Sequence, residues 1–235
     1  MNHLFIMSSA INTRFGMFDN DQRLLQTFRT IKSVYDRVPD AKIAIVESSG
    51  IVLEPEVLQK LHECVHCIID MSGTEHVNKI YNSTPNWDVV KNVCEILCFL
   101  LAFDSIEKSG MIEEIDRIHK LSGRYMLNDG FDLSVYDKYP DKIIVSSKRP
   151  TPFDDLVGIP FQYPSRLWSW PVSLHPLVKE FYFSAITEIK ERLLENKYAD
   201  IEHLMYNFIP EELIQEVEVI GVEGYIGGNK KFVKD

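Results

Sequence analysis

Two apolar runs of strand length flank an amphipathic stretch at the start of this chain, and few folds admit that arrangement. His3–Ser9 reads as a buried strand ending in small polar residues. Asn12, Thr13, Arg14 and Gly16 make a loop, and Arg23–Val38 then places Leu24, Phe28, Ile31, Tyr35 and Val38 at helical spacing. Asp19 to Asp21 offer an N-cap for this helix, and Pro39-Asp40 stops it. Ala41–Glu47 follows as a second strand that runs into Glu47-Ser48-Ser49-Gly50. Strand, loop, helix and strand form one βαβ unit, whose crossover is right-handed in nearly every known case.

The alternation continues. Pro55–Cys64 predicts a short helix, and Cys67–Met71 a third strand closed by Ser72-Gly73. Trp87–Phe103 predicts a long, mostly apolar helix, and Lys142–Ser146 another strand. Thr151–Tyr163 is rich in Pro, Gly and Asp and reads as a mobile loop. His175–Asn196 predicts an amphipathic helix with Leu177, Phe181, Ile186, Ile189 and Leu193 on or near one face. Ile201–Phe208 and Pro210–Val217 predict shorter helices, Val219–Ile226 an extended segment, and Gly227–Asp235 a frayed polar tail. The expected fold class is α/β: a mostly parallel central sheet flanked by helices, with a Rossmann-like nucleotide-binding half. Ligands of such sheets sit beyond the carboxyl ends of the strands, which selects Ser8–Arg14, Glu47–Gly50 and Ser72–Gly73.

A second feature is the run His119-Lys120-Leu121-Ser122-Gly123-Arg124-Tyr125. It concentrates cations, a hydroxyl and a phenol around a glycine, in what reads as a loop after Met111–Ile118. Gly123 lets the backbone turn or approach a ligand, Arg124 carries a planar fork suited to phosphate or carboxylate, and Lys120 is a point charge beside it. An anion site is one reading; a solvated loop whose Arg pairs with a nearby Asp is the other. Further candidates stand elsewhere. Ser8, Ser9, Asn12, Thr13 and Arg14 supply donors for a diphosphate, and Glu47 is a strand-end acceptor for a ribose or base. Glu202-His203 is a candidate for general base with a proton partner, or for metal ligation, against the plainer reading of an exposed acid and a packed His. Asp19-Asn20-Asp21 has a spacing suited to a divalent cation, but N-capping explains it better. Asp154-Asp155 is another acidic pair, and Trp168 and Trp170 are a stacking platform or core residues.

The balance of 25 basic against 35 acidic residues, a net charge of −10, argues against broad non-specific nucleic-acid binding, which needs many cations to displace counterions. The start, Met-Asn-His, lacks a basic n-region and Leu4–Met7 is too short for a signal core, so a cytoplasmic protein with reduced thiols is expected. No apolar run reaches the length of a membrane span. Cys64 and Cys67 have zinc-knuckle spacing, with Cys94 and Cys98 as a second pair, but the latter sit among Val93, Ile96, Leu97 and Leu100 as small hydrophobes. No phosphate-binding loop, dinucleotide fingerprint, nucleophile elbow or zinc-protease motif is present.

Taken together, Phe5–Thr13 with Arg23–Thr27 and Thr30–Ser33, Ile45–Ser49, Lys120–Tyr125, and Ile201–Leu204 with Gly221–Gly224 resemble small nucleotide-sugar-dependent glycosyltransferases of the GT-A type, notably phage and bacterial members. The Lys-x-Ser-Gly-Arg-Tyr run is the most specific of these segments. The resemblance implies a GT-A-like domain over 1–235, with a nucleotide-binding half at 1–118 and an acceptor-side half with C-terminal helices at 119–235. It implies transfer of a sugar from a nucleotide-diphosphate donor, such as a UDP-sugar, to an acceptor hydroxyl. Ser8, Ser9, Asn12, Arg14, Glu47, Lys120, Ser122, Gly123, Arg124 and Tyr125 would bind the donor, and Glu202 with His203 would be the catalytic pair. Members of this class carry a D-x-D metal motif where this chain has Lys120–Tyr125. Mn or Mg is therefore one expectation and a metal-independent reaction, with Lys120 and Arg124 neutralising the leaving diphosphate, the other. The acceptor implied is a glycan or lipid-linked sugar, with a DNA base as an alternative if Lys142, Lys148, Arg149 and Arg166 form a basic strip. A nucleotidyltransferase and a non-catalytic nucleotide-sugar-binding protein are the competing readings.

Overall fold

The computed structural model describes residues 1–152 and 154–235. The chain begins with strand β1 (His3–Ser9), helix α1 (Asn20–Arg37) and strand β2 (Lys42–Glu47). Asp19 caps α1 by accepting from the Gln22 backbone at 2.8 Å, and Gln22 reaches back to the Asp19 amide, so the D-x-D spacing is used to start a helix. Helix α2 (Pro55–His62) leads to β3 (Cys67–Asp70), and α3 (Glu75–Ser83) and α4 (Trp87–Lys108) lead to β4 (Arg117–Ser122). There follow β5 (Tyr125–Leu127), α5 (Ser134–Lys138), β6 (Ile143–Ser146), β7 (Arg149–Pro150), α6 (Asp154–Val157), β8 (Phe161–Gln162) and β9 (Leu167–Pro171). The chain closes with α7 (His175–Leu194), α8 (Ile201–Phe208), β10 (Ile214–Val217), β11 (Val222–Tyr225) and β12 (Phe232–Lys234).

The central sheet has seven strands in the order β10-β6-β9-β4-β1-β2-β3. β1 pairs in parallel with both β2 and β4, β2 with β3, and β10 with β6, while β9 runs antiparallel to β4 and β6. The fold class is thus α/β with a mostly parallel central sheet flanked by helices. The period-two alternation of the strands sorts the apolar side chains into two layers. Leu4, Ile6, Ala44, Val46 and Ile118 face the layer built on α4, α7 and α8. Phe5, Met7, Ile43, Ile45 and Leu121 face the layer built on α1 and the segment around Phe131 and Tyr136. β5, β11 and β12 form a separate three-stranded antiparallel sheet, and β7 with β8 a two-stranded one. Among the described residues no helix is long and apolar enough to cross a membrane.

Several expectations change in the structure. Lys120 lies inside strand β4, and only Gly123 and Arg124 form the turn to β5. Residues 210–217 contain β10 in place of the expected helix, because Ile214–Val217 pairs in parallel with Ile143–Ser146 of β6. The tail is held by β12 and by Asp235, whose carboxylate binds Arg149 and Arg166. The segment from 151 to 163 carries α6 and β8; the Asp154 and Asp155 side chains lie outside the described residues. Trp168 and Trp170 are fully buried core residues on one face of β9. Cys94 and Cys98 are buried in one core layer, against which Cys67 also packs, while Cys64 packs against the other, and among the described residues no three of the four gather as a metal site.

Candidate functional site

The crevice opens at the carboxyl ends of β1 and β4, where the last pair in register is Ser8 beside Ser122 and β1 ends one residue further on, at Ser9. Gly123 closes the approach: its N–H donates to the Ser8 carbonyl at 2.8 Å, and a Cβ there would stand 2.7 Å from that oxygen. Only glycine fits this contact between the strand ends. The crevice has two lobes. The first, about 90 Å³, is lined by Ser8, Ser9, Arg23, Thr27 and Tyr81. The second, about 510 Å³, is lined by Asp88, Lys120, Ser165, Arg166, Asp200 and Glu202. Trp87, Lys91 and Glu95 from one stripe of α4, with Ser122, Arg124 and Gly227, line both lobes. A cavity of the second lobe's size suits a small ligand.

The cations divide into committed and available ones. Arg23 is buried, and its guanidinium donates to the carbonyls of Ala10, Phe15 and Phe18, so it builds the loop rather than serving a ligand. Burial, and then the charge of Arg124, lowers its pKa to about 10. Arg124 is half-buried between Arg23 and the Gly227 backbone, where a Cβ at 227 would sit 2.7 Å from a guanidinium nitrogen. Its Nε is buried with no hydrogen-bond partner among the described residues. A buried donor left without an acceptor costs free energy that an anionic ligand would recover. Lys91, exposed at the rim, extends over the Trp87 ring at 5.8 Å.

Lys120 has a different part. Its side chain is 1% exposed, and its ammonium contacts Glu95 at 2.5 Å and donates to the Ser165 carbonyl at 2.9 Å. Burial pushes Glu95 up, but the charge of Lys120, with Lys91 and Arg124 beyond it, more than offsets this and holds Glu95 below the usual carboxylate range. The expected Lys120–Arg124 clamp is therefore reduced to Arg124, with Lys91 a further cation of the crevice lining that has no acidic partner among the described residues.

Glu202 reaches the second lobe from the first turn of α8. Its Oε1 accepts from the Ser165 amide at 2.9 Å and the Ser165 hydroxyl at 3.1 Å; among the described residues both bonds fall on this one oxygen. His203 turns inward instead. It is 4% exposed, with Nδ1 2.7 Å from Asp200 in the box that caps α8, and its Nε2 is buried without a partner among the described residues. Burial raises the Asp88 pKa, and Asp200 adds to this against the opposing charge of Lys91.

The remaining expected residues are scattered. Ser8, Ser9, Ser122, Gly123 and Arg124 line the first lobe, and Tyr125 lines the second, its ring under the Arg166 guanidinium at 5.6 Å. Glu47 is fully buried and takes bonds from the Ser9 hydroxyl, the Ile11 amide and both the amide and hydroxyl of Ser49. Burial raises its pKa and these bonds act against the rise. It knots the loops after β1 and β2 and leaves no side-chain oxygen for a ribose. Asn12 joins the same knot through Ser49 and Val52. Arg14 is exposed, bound to Asn82, on a shallow neighbouring surface. Of the basic strip, Lys148 pairs with Glu211 and Glu216, Arg149 and Arg166 share the Asp235 carboxylate, and Lys142 donates to the Glu212 carbonyl, so three of the four cations are engaged by nearby acids. Among the described residues no three His, Cys, Asp or Glu side chains gather as a metal site. Of the crevice acids, Glu95 is engaged by Lys120 and Asp200 by His203 in the α8 cap.

Sequence reading passes over Lys91, Glu95 and Ser165. A signal for the first two exists: Trp87, Lys91 and Glu95 recur at i, i+4 on an otherwise apolar helix. Ser165 has none, since its role depends on a meeting of β4 and α8.

In a mostly parallel sheet, a crevice at the carboxyl ends of β1 and β4 lies where open α/β sheets bind their ligands. The chain resembles the nucleoside-diphosphate-sugar pyrophosphorylase of Vibrio cholerae RC9, with a TM-score of 0.51 and 9% identity over 96% of each chain, a likeness of fold. The 4-diphosphocytidyl-2C-methyl-D-erythritol synthase of Anaerococcus prevotii aligns at a TM-score of 0.42 and 10% identity over 92% of this chain and 86% of that one. No family model matches the chain, and no curated protein matches it.

Proposed function

We propose that this protein is a transferase that acts on a nucleotide sugar, holding the donor's phosphates against Arg124 and passing the sugar to an acceptor hydroxyl. The observation that carries the reading is the Arg124 guanidinium, its buried Nε without a partner among the described residues, in a crevice it shares with Glu202, whose carboxylate is fixed through one oxygen. Ser8, Ser122 and the rim cation Lys91 complete the surroundings of the diphosphate, with the base and ribose towards Ser9 and Tyr81. In the reaction the acceptor hydroxyl gives its proton to Glu202 as its oxygen bonds the anomeric carbon. The bond from that carbon to the diphosphate oxygen breaks, and the nucleoside diphosphate leaves with its charge on Arg124 and Lys91. With Lys148, Arg149 and Arg166 engaged by nearby acids and a net charge of −10, a glycan is a better acceptor than DNA.

The second reading is nucleotidyl transfer, in which a sugar phosphate attacks a nucleoside triphosphate and pyrophosphate leaves. Its support is the fold likeness to a nucleoside-diphosphate-sugar pyrophosphorylase along 96% of both chains. One experiment separates the two. The protein is incubated with nucleotide sugars and simple sugar acceptors, or with nucleoside triphosphates and sugar 1-phosphates, each with and without Mn²⁺ or Mg²⁺, and products are read by ³¹P NMR. Nucleoside diphosphate from the first mixture supports glycosyl transfer; pyrophosphate from the second replaces it with nucleotidyl transfer. Neither product, from a protein that binds the nucleotide, leaves a non-catalytic binding protein.

A further inference from the structure

We propose that Lys120 is a positioning residue for Glu202, acting through Ser165. The inference rests on the reading of Glu202 as general base. A continuous set of contacts crosses the floor of the crevice: the Glu95 carboxylate to the Lys120 ammonium at 2.5 Å, Lys120 to the Ser165 carbonyl at 2.9 Å, and the Ser165 amide and hydroxyl to Glu202 Oε1 at 2.9 and 3.1 Å. Ser165 is thus gripped from both sides of its Cα, at the carbonyl by β4 and at the amide by α8. The neighbouring backbone is stitched in the same two directions. The Ser122 amide donates to the Arg166 carbonyl at 2.9 Å, and the Tyr163 amide to the Glu202 carbonyl at 3.0 Å.

The strand alternation makes this possible. His119 turns to the far side of the sheet and stacks on Phe5 at 4.4 Å, while Lys120 turns towards α4, its ammonium 6.0 Å from the Phe99 ring. A lysine at this position buries its charge at a cost, and Glu95 supplies the counter-charge that offsets it. A lysine kept for phosphate would face solvent or the ligand; this one has its ammonium at a main-chain carbonyl. Its length is used to span from the sheet to the loop that carries Ser165. In that arrangement a leucine-sized side chain leaves the loop untied at its carbonyl, which frees the Ser165 amide and hydroxyl, the partners of the Glu202 carboxylate among the described residues, to move.

The test compares the wild type with Glu95→Gln/Lys120→Met, which keeps the interior uncharged, with Lys120→Arg, and with Ser165→Ala, which deletes only the hydroxyl. Crystal structures report the Glu202–Ser165 geometry; titration with the nucleoside diphosphate reports binding; release of that diphosphate from its nucleotide sugar reports turnover. In the double variant Glu202 Oε1 is expected to leave hydrogen-bonding distance of the Ser165 nitrogen. Turnover is expected to fall by about tenfold to a hundredfold, as displacement of a reacting group by an ångström does, with nucleotide affinity unchanged. Lys120→Arg should recover part of the loss, and Ser165→Ala should reproduce part of it. Glu202 staying bonded to Ser165 in the double variant would overturn the proposal, as would a loss of affinity in proportion to turnover. A wild type without turnover on any nucleotide sugar counts against the transferase reading, and the crystallographic comparison alone then decides whether Lys120 positions Glu202.

Discussion

Replacing Lys120 by methionine strips the counter-charge from Glu95 inside the protein. The lysine is 1% exposed and its partner 13%, so the carboxylate left behind is poorly reached by water. Breaking a buried ion pair by removing one member costs about 3–5 kcal/mol, because the surviving charge stays desolvated. The loss of the bond to the Ser165 carbonyl falls within this figure, since the two share one ammonium. For a chain of this size each kcal/mol lowers Tm by about 2–4 °C, which predicts a fall of roughly 6–20 °C. Adding Glu95→Gln removes the orphaned charge, and the double variant should regain most of the stability, as neutral replacements of buried pairs commonly do. Thermal and urea unfolding followed by circular dichroism on the four proteins of this cycle give the coupling directly. A cost below about 1 kcal/mol for Lys120→Met, the value of an exposed pair, or a double variant whose loss equals the sum of the singles, would refute the claim that this pair is a buried, mutually dependent unit.

Other outcomes follow from the same structure. Arg124→Ala should weaken binding of the nucleoside diphosphate by about tenfold to a hundredfold, the worth of a charge-assisted hydrogen bond of roughly 1.5–3 kcal/mol, with little change in Tm, as read by calorimetric titration and thermal unfolding. Glu202→Gln should cut turnover by about 10²–10⁴-fold while leaving nucleotide affinity intact, measured by diphosphate release. Gly123→Ala should destabilise the fold by about 1–3 kcal/mol, since the added Cβ would stand 2.7 Å from the Ser8 carbonyl oxygen; urea unfolding checks it. His3 lies 2.9 Å from His119 in the core, and burial, with Arg117 contributing, lowers its pKa from 6.5 to about 4. The unfolded chain therefore binds the proton first: this contribution is complete above the unfolded pKa and drains away as pH falls from about 6.5 towards 4. Replacing His3 by Phe should flatten that limb of the stability–pH curve.

The strands and helices of the first half were legible because burial writes itself as period: His3–Ser9 is bounded alike in sequence and structure, and α1, β2 and α4 fall within a few residues of their expected spans. The second half was less so. β10 and β12 are short edge strands whose pairing is decided by distant partners, while α3 (Glu75–Ser83) had a readable signal, a Thr74 cap with Val77 and Tyr81 at helical spacing, that the sequence reading passes over. At the site, the importance of the Lys120–Tyr125 run could be read from its composition, but not the division of labour within it. Strand alternation sends Lys120 inward to Glu95 and the turn leaves Arg124 facing the crevice. Glu47 illustrates the opposite error: a strand-end acid looks available until the hydroxyls of Ser9 and Ser49 are seen to occupy it.

The central claim, that the crevice holds a nucleotide by its phosphates against Arg124, is tested most directly by calorimetric titration of the wild type and Arg124→Ala with UDP, GDP, CDP, ADP and dTDP. The account predicts that one of these nucleotides binds the wild type and that the same nucleotide binds Arg124→Ala at least about tenfold more weakly. Binding that ignores the loss of Arg124, or a wild type that takes up none of the five, would contradict it.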